Sequence, residues 1–179
     1  MHVARLISLV LVLMLMPYVI MADSPKFEPS FLADGHFALA AGMTYQYDDS
    51  KGTNLAFGTW STRDDRYELA AFRFLSPQTR RGCDLAEPNW VFEASRRWQL
   101  HWGLIDRSGV ELFIGLGAAY KNKTDSLDGS NWNFAEQLGW RFPKLASGHR
   151  LEFTIRHVSN AGLSKPNRGE DFLTLGYVF

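Results

Sequence analysis

The chain has 179 residues with 19 Lys+Arg against 19 Asp+Glu, a balance that gives no electrostatic reason for a nucleic-acid partner. Its single cysteine, Cys83, excludes an intramolecular disulfide and is read as incidental, so the fold must draw its stability from packing or from a membrane. Beyond the N-terminus no apolar run approaches the ~20 residues of a transmembrane helix, although aromatic residues make up 14% of the chain. Any membrane crossing therefore rests on β-strands.

In chain order, Arg5 precedes the apolar run Leu6 to Met16, Pro17 breaks it, and Met21-Ala22 ends in a small residue before the polar Asp23-Ser24. This pattern reads as a secretory signal peptide over residues 1–22, followed by one domain over residues 23–179. Phe37, Leu39, Met43 and Tyr45 predict a first strand, Leu55 to Trp60 a second, Tyr67 to Leu75 a third and Asn89 to Leu100 a fourth. A fifth sets Val110, Leu112, Ile114, Leu116, Ala118 and Tyr120 against Glu111, Gly115, Gly117 and Ala119, with Phe113 as the exception. The sixth carries Trp132, Phe134, Leu138, Trp140 and Phe142 on one face, broken by Glu136. In Leu151 to His157 the odd positions are apolar until His157 and the even ones polar, and Leu173, Leu175, Tyr177 and Phe179 form the eighth strand. The connections 48–52, 76–88, 106–109, 122–130 and 143–148 are polar and carry Gly or Pro as turn signals.

Eight strands in one domain leave about 20 residues for each strand with its connection, against ~9–11 for a tilted membrane strand. The expected fold is all-β, an eight-stranded antiparallel transmembrane β-barrel without room for a pore. Its small and polar set lines the lumen, where Arg156, Arg141 and Glu111 are expected as paired charges, and its large apolar set faces lipid. A soluble lipocalin-like barrel is the alternative, and it would put the large apolar side chains inside. The alternating aromatics before the terminal Phe179 look like the C-terminal signal of bacterial outer-membrane proteins. With Phe179 on the periplasmic side, the connection from Val158 to Gly169 faces the exterior.

Within that region stands His157-Val158-Ser159-Asn160-Ala161-Gly162, followed by Pro166-Asn167-Arg168-Gly169-Glu170-Asp171. Residues two apart on a strand share a face, so His157 and Ser159 can lie within mutual reach, as a histidine base and a hydroxyl nucleophile require. Both continue the parity of Leu151, Phe153 and Ile155, the bilayer-facing set. Polar residues there, near the bilayer edge, invite an explanation that a substrate held in the outer leaflet supplies. The bland reading is a rim histidine and serine beside a common Asn-Ala-Gly turn.

The run His157-x-Ser159-Asn160-Ala161-Gly162-Leu163-x-x-Pro166-Asn167-x-Gly169 resembles the signature of the lipid A 3-O-deacylase (PagL) family. The match is specific over Ile155 to Phe179, and weaker similarity, including Ser130-Asn131-Trp132-Asn133-Phe134, extends over most of the chain. The resemblance implies an eight-stranded outer-membrane barrel that removes the ester-linked acyl chain at position 3 of lipid A with a serine, a histidine and an acid. By position it implies Ser159 as nucleophile, His157 as general base, and backbone amides around Asn160 and Gly162 as oxyanion donors. Asn167 would cap the loop or support the site. The family usually has glutamate where an ungapped match puts Asp171. Parity favours Asp171, which shares the outward face, over Glu170, the alternative acid, which should point into the lumen.

No metal or cofactor is expected. The implied partners are lipid A and the bilayer of the Gram-negative cell outer membrane, with Lys165 and Arg168 placed to attract lipid A phosphates, and a homodimer is compatible with the reading. Two alternatives stand beside it. An outer-membrane phospholipase carries a similar motif and uses calcium, but its twelve strands would leave about 13 residues per strand and connection. A non-catalytic small barrel, adhesin or structural, would use His157 and Ser159 merely as rim residues.

Overall fold

The structure, a computed structural model, describes residues 35–45, 50–51, 54–75, 78–80, 83–86, 88–101, 107–125 and 129–179. The expected signal peptide, 1–22, lies outside the described residues. Eight long strands close into a barrel: β1 (His36–Tyr45), β3 (Asn54–Ser61), β4 (Tyr67–Phe74), β7 (Trp90–Leu100), β8 (Glu111–Lys121), β9 (Trp132–Arg141), β10 (Arg150–Ser159) and β11 (Glu170–Val178). Neighbours along the chain pair antiparallel, and the ring shuts where β1 pairs β11 from Ala38↔Val178 to Tyr45↔Asp171. This up-and-down order puts the β1–β3, β4–β7, β8–β9 and β10–β11 connections at one end, called here the loop end. Phe179 lies at the other, the turn end, where its N–H donates to Phe37 O at 2.8 Å.

The two-residue period of the sequence becomes the two faces of the wall. Phe37, Leu39, Met43, Phe92, Trp132, Phe134 and Leu175 are exposed outside, while Glu68, Glu93, Ser95, Arg97, Gln137, Glu152, Thr154 and Arg156 are buried inside. That polar interior is the reverse of the soluble ligand-binding barrel, which sets that alternative aside.

The lumen is filled in two layers. Near the loop end an aromatic plug joins Phe72, Phe74, Val91, Val158 and Phe172, with Phe74 and Phe172 ring centroids 5.5 Å apart in edge contact. Beneath it lies an ion network. Arg156 bridges Glu68 at 2.7 Å and Glu93 at 3.0 Å, Arg97 reaches Glu68 and Glu152, and Arg141 reaches Glu152 and Asp65. Each buried charge thus has opposite charges beside it, the condition under which ions are tolerated away from water. Arg156 also lies 5.0 Å over the Phe72 ring and links the two layers. Phe113, the large apolar exception in its strand, shares the inward parity of Glu111 and Gly115; the guanidinium of Arg97 sits 4.4 Å from its ring, and Gly139, its register partner on β9, leaves the space the ring fills.

One reading of the sequence needs correction. The connections at 48–52 and 76–88, read there as turns alone, contribute a small sheet of β2 (Ser50–Lys51), β5 (Gln78–Arg80) and β6 (Cys83–Ala86) in the order β2-β5-β6. Strands of two to four residues are too short to show a period.

Candidate active site

β10 and β11 are joined at the loop end by residues 160–169, and their antiparallel register sets His157 directly opposite Asp171. Both side chains stand outward and are half-buried, each 34% exposed, and His157 Nδ1 lies 2.7 Å from Asp171 Oδ1. A proton on Nδ1 shared with the carboxylate leaves Nε2 as the lone-pair nitrogen, the form a general base must have. Ser159 is two residues further along β10 on the same outward face, opposite Phe134 of β9. The point where a Cβ on Gly169 would sit is 3.1 Å from both His157 Nε2 and Ser159 Cβ, so the hydroxyl-bearing residue and the lone-pair nitrogen flank one spot. Only a residue without a side chain fits there, for the same Cβ would lie 2.6 Å from His157 Cε1, and Gly169 has φ +70°.

Glu170 turns the other way. It is 1% exposed, points into the lumen and meets Lys121 Nζ at 2.6 Å. Of the two adjacent acids, the structure therefore brings Asp171 to the histidine and takes Glu170 away from it.

The connecting loop is held from within by Asn160, which is 1% exposed. Its side-chain N–H groups donate to Ser164 Oγ at 3.0 Å and to Pro166 O at 3.4 Å, while its Oδ1 accepts from Gly162 N at 2.9 Å. Asn160 N–H in turn donates to Asn167 Oδ1 at 3.3 Å. Ala161 and Gly162 carry the chain round with φ of +52° and +87°, a left-handed pair of the kind Gly accepts readily. Here the loop differs from the sequence expectation: the amides of Asn160 and Gly162 point at side-chain oxygens of the loop itself rather than standing open for an oxyanion. Asn167 serves as one of those acceptors. Periodicity could not have found this, because it depends on the path of an irregular segment.

Three further features escaped the sequence reading. Glu136 of β9 is the other register neighbour of His157, and its break in the apolar alternation was the available signal. Lys121, fully buried at the end of β8, joins Glu170 and Asp125, and nothing local in sequence announced it. Gly129 N–H donates to Pro166 O at 2.8 Å, so the β8–β9 connection braces the catalytic-type loop. The cavities of about 450 and 650 Å³ lie among charged residues of the turn end, such as Asp65, Glu111 and Arg141, away from His157. The chemistry-bearing groups open on the outer wall instead.

Such an arrangement can activate a hydroxyl: an oriented imidazole, a carboxylate that stabilises its cation, and a serine on the same face. Comparison with known proteins gives a consistent picture. Residues 35–179 match the family described as Lipid A 3-O-deacylase (PagL). The chain is 30% identical over 125 residues to Lipid A deacylase PagL of Bordetella bronchiseptica, a match that covers 68% of this chain and 65% of that protein, so it spans just under two thirds of that relative. Its fold resembles the crystal structure of the outer membrane enzyme PagL with a TM-score of 0.53 at 18% identity, covering 80% of this chain and 98% of the other. It also resembles Neisserial surface protein A (NspA), with a TM-score of 0.55 at 13% identity over 80% of this chain and 94% of the other.

Proposed function

The chain belongs to the lipid A 3-O-deacylase (PagL) family, and from that premise we propose that it is an outer-membrane esterase that removes the 3-O-linked acyl chain of lipid A. The observation that carries the reading is the 2.7 Å contact between His157 Nδ1 and Asp171 Oδ1 on the outward face that also bears Ser159. A catalytic set on the outer wall of a barrel whose lumen is filled suits a substrate lying in the bilayer, not one that passes through the protein. Phe134, Ile155 and Leu163 are exposed on or near the same side and offer apolar surface for an acyl chain.

In this mechanism Ser159 Oγ attacks the ester carbonyl while His157 Nε2 takes the hydroxyl proton. Asp171 holds the ring and stabilises the imidazolium that forms. The bond between the acyl carbon and the sugar oxygen then breaks, His157 returns its proton to that oxygen, and an acyl-serine remains. Water attacks it with His157 again as base, the proton passes back to Ser159 Oγ, and a free fatty acid leaves. The oxyanion falls to the loop. The 3.3 Å bond from Asn160 N–H to Asn167 Oδ1 is long, and an alkoxide is a stronger acceptor than a carboxamide, so the Asn160 amide exchanges its resting partner for it, with Gly162 N–H, held at 2.9 Å by Asn160 Oδ1, as the second candidate donor.

The test is an assay of the purified protein in detergent with lipid A, read by mass spectrometry. The proposal expects the loss of one 3-hydroxyacyl chain and a matching free fatty acid. Intact lipid A after prolonged incubation with folded protein would favour the non-catalytic barrel, and release of acyl chains from phospholipid alone would favour the phospholipase.

A further inference from the structure

Resting on the reading just given, we infer that Lys121 is a positioning residue that holds Glu170 in the lumen and so keeps Asp171 as the acid that reaches His157. β11 begins straight after Gly169, whose φ of +70° lets the backbone turn with little penalty. The strand's alternation, continued from Leu173 and Leu175, sends Asp171 outward and Glu170 inward, and only an irregularity at its start could exchange them. A local bulge at Gly169-Glu170 would turn Glu170 outward without disturbing Leu173 and Leu175 below it.

Charge keeps that assignment in place. Glu170 lies at the level of the aromatic plug, where its register neighbours along the wall include Val158 and where Phe172 next to it is fully buried. A carboxylate in such surroundings is tolerated only beside a cation. Lys121 supplies that cation at 2.6 Å from Glu170 Oε1, with its own side chain 0% exposed. Its position is in turn fixed: Lys121 N–H donates to Asn131 O at 2.7 Å, and Lys121 O accepts from Asn131 Nδ2 at 2.8 Å. The same ammonium holds Asp125 at 2.7 Å, in the connection whose Gly129 braces Pro166. Lys121 thus ties the start of β11 and the loop over the site to one buried point. Without it Glu170 loses the ammonium 2.6 Å away, and a bulge at Gly169-Glu170 would let its carboxylate swing outward to the face of His157. Asp171 would be displaced from the ring as it arrives.

The experiment compares Lys121→Met, Lys121→Arg and the double variant Lys121→Met with Glu170→Gln, each checked for the heat-induced mobility shift of a folded barrel and assayed on lipid A. Lys121→Met is expected to lower kcat by about tenfold or more with a smaller change in KM, because the base is misaligned rather than the substrate surface lost. Lys121→Arg keeps most of the activity. The decisive result is the double variant, in which no carboxylate remains to compete for His157, so most of the lost activity returns. A buried pair replaced as a whole is commonly tolerated, so this variant also serves if Lys121→Met alone does not fold. Full activity in Lys121→Met, or a double variant as inactive as Lys121→Met, overturns the inference. Failure of the underlying reading looks different: wild-type turnover would then persist in His157→Ala.

Discussion

In the proposed mechanism Asp171 takes the acid role on a side chain one methylene shorter than glutamate, and its carboxylate lies 2.7 Å from His157 Nδ1. Asp171→Asn keeps the shape but favours the wrong tautomer of His157. It should lower kcat/KM by roughly 10²–10⁴-fold, measured on lipid A with the barrel's heat shift unchanged. Glu170→Gln should change little, because Lys121 retains Asp125 as its partner. The opposite ranking would mean that Glu170 is the acid. Gly169→Ala makes a third test at this scale. Its methyl would meet His157 Cε1 at 2.6 Å and its backbone would have to hold φ +70°, so activity should fall, with a loss of about 1–3 kcal/mol of stability that leaves the barrel folded. Wild-type turnover in Gly169→Ala would show that the ring does not sit against this glycine.

The strands were legible in the sequence and the loop between the last two was not. Period-two alternation located all eight barrel strands and put His157, Ser159 and Asp171 on one face, because a strand's side chains follow a rule set by the backbone alone. Nothing comparable governs residues 160–169, whose hydrogen bonds reach back from Asn160 to Ser164, Pro166 and Asn167. Cross-lumen partners were equally invisible: Lys121 and Glu170 stand far apart in the chain and meet only because the barrel closes. The loop's dependence on one buried side chain gives a prediction. Asn160→Ala removes the acceptor of the Gly162 amide and the donor to Ser164 Oγ, while Pro166 O keeps Gly129 N–H, at a cost of about 1–3 kcal/mol. Protease cleavage within 160–169 should become faster and turnover should drop, with the strands intact; an unchanged cleavage rate would contradict the scaffold role of Asn160.

At the largest scale, the barrel carries balanced charge below an aromatic plug in its interior, and its outside is apolar. Arg156 holds Glu68 and Glu93 at its core. Arg156→Leu would leave Glu93 buried without its cation and Glu68 with Arg97 alone, a change that typically costs about 3–5 kcal/mol, and should lower the temperature of the mobility shift markedly. On the outer wall the described strands group Glu136, His157 and Asp171 together by register. The account therefore stands or falls on whether a serine on the outside of this barrel cleaves an ester of a membrane lipid. The measurement that tests this most directly is mass spectrometry of lipid A incubated with wild-type protein and with Ser159→Ala, both first shown to be folded by the heat shift. The account predicts quantitative loss of one 3-hydroxyacyl chain with the wild type and at least about 10³-fold slower loss with Ser159→Ala. Equal loss with both proteins, or none with either, would contradict it.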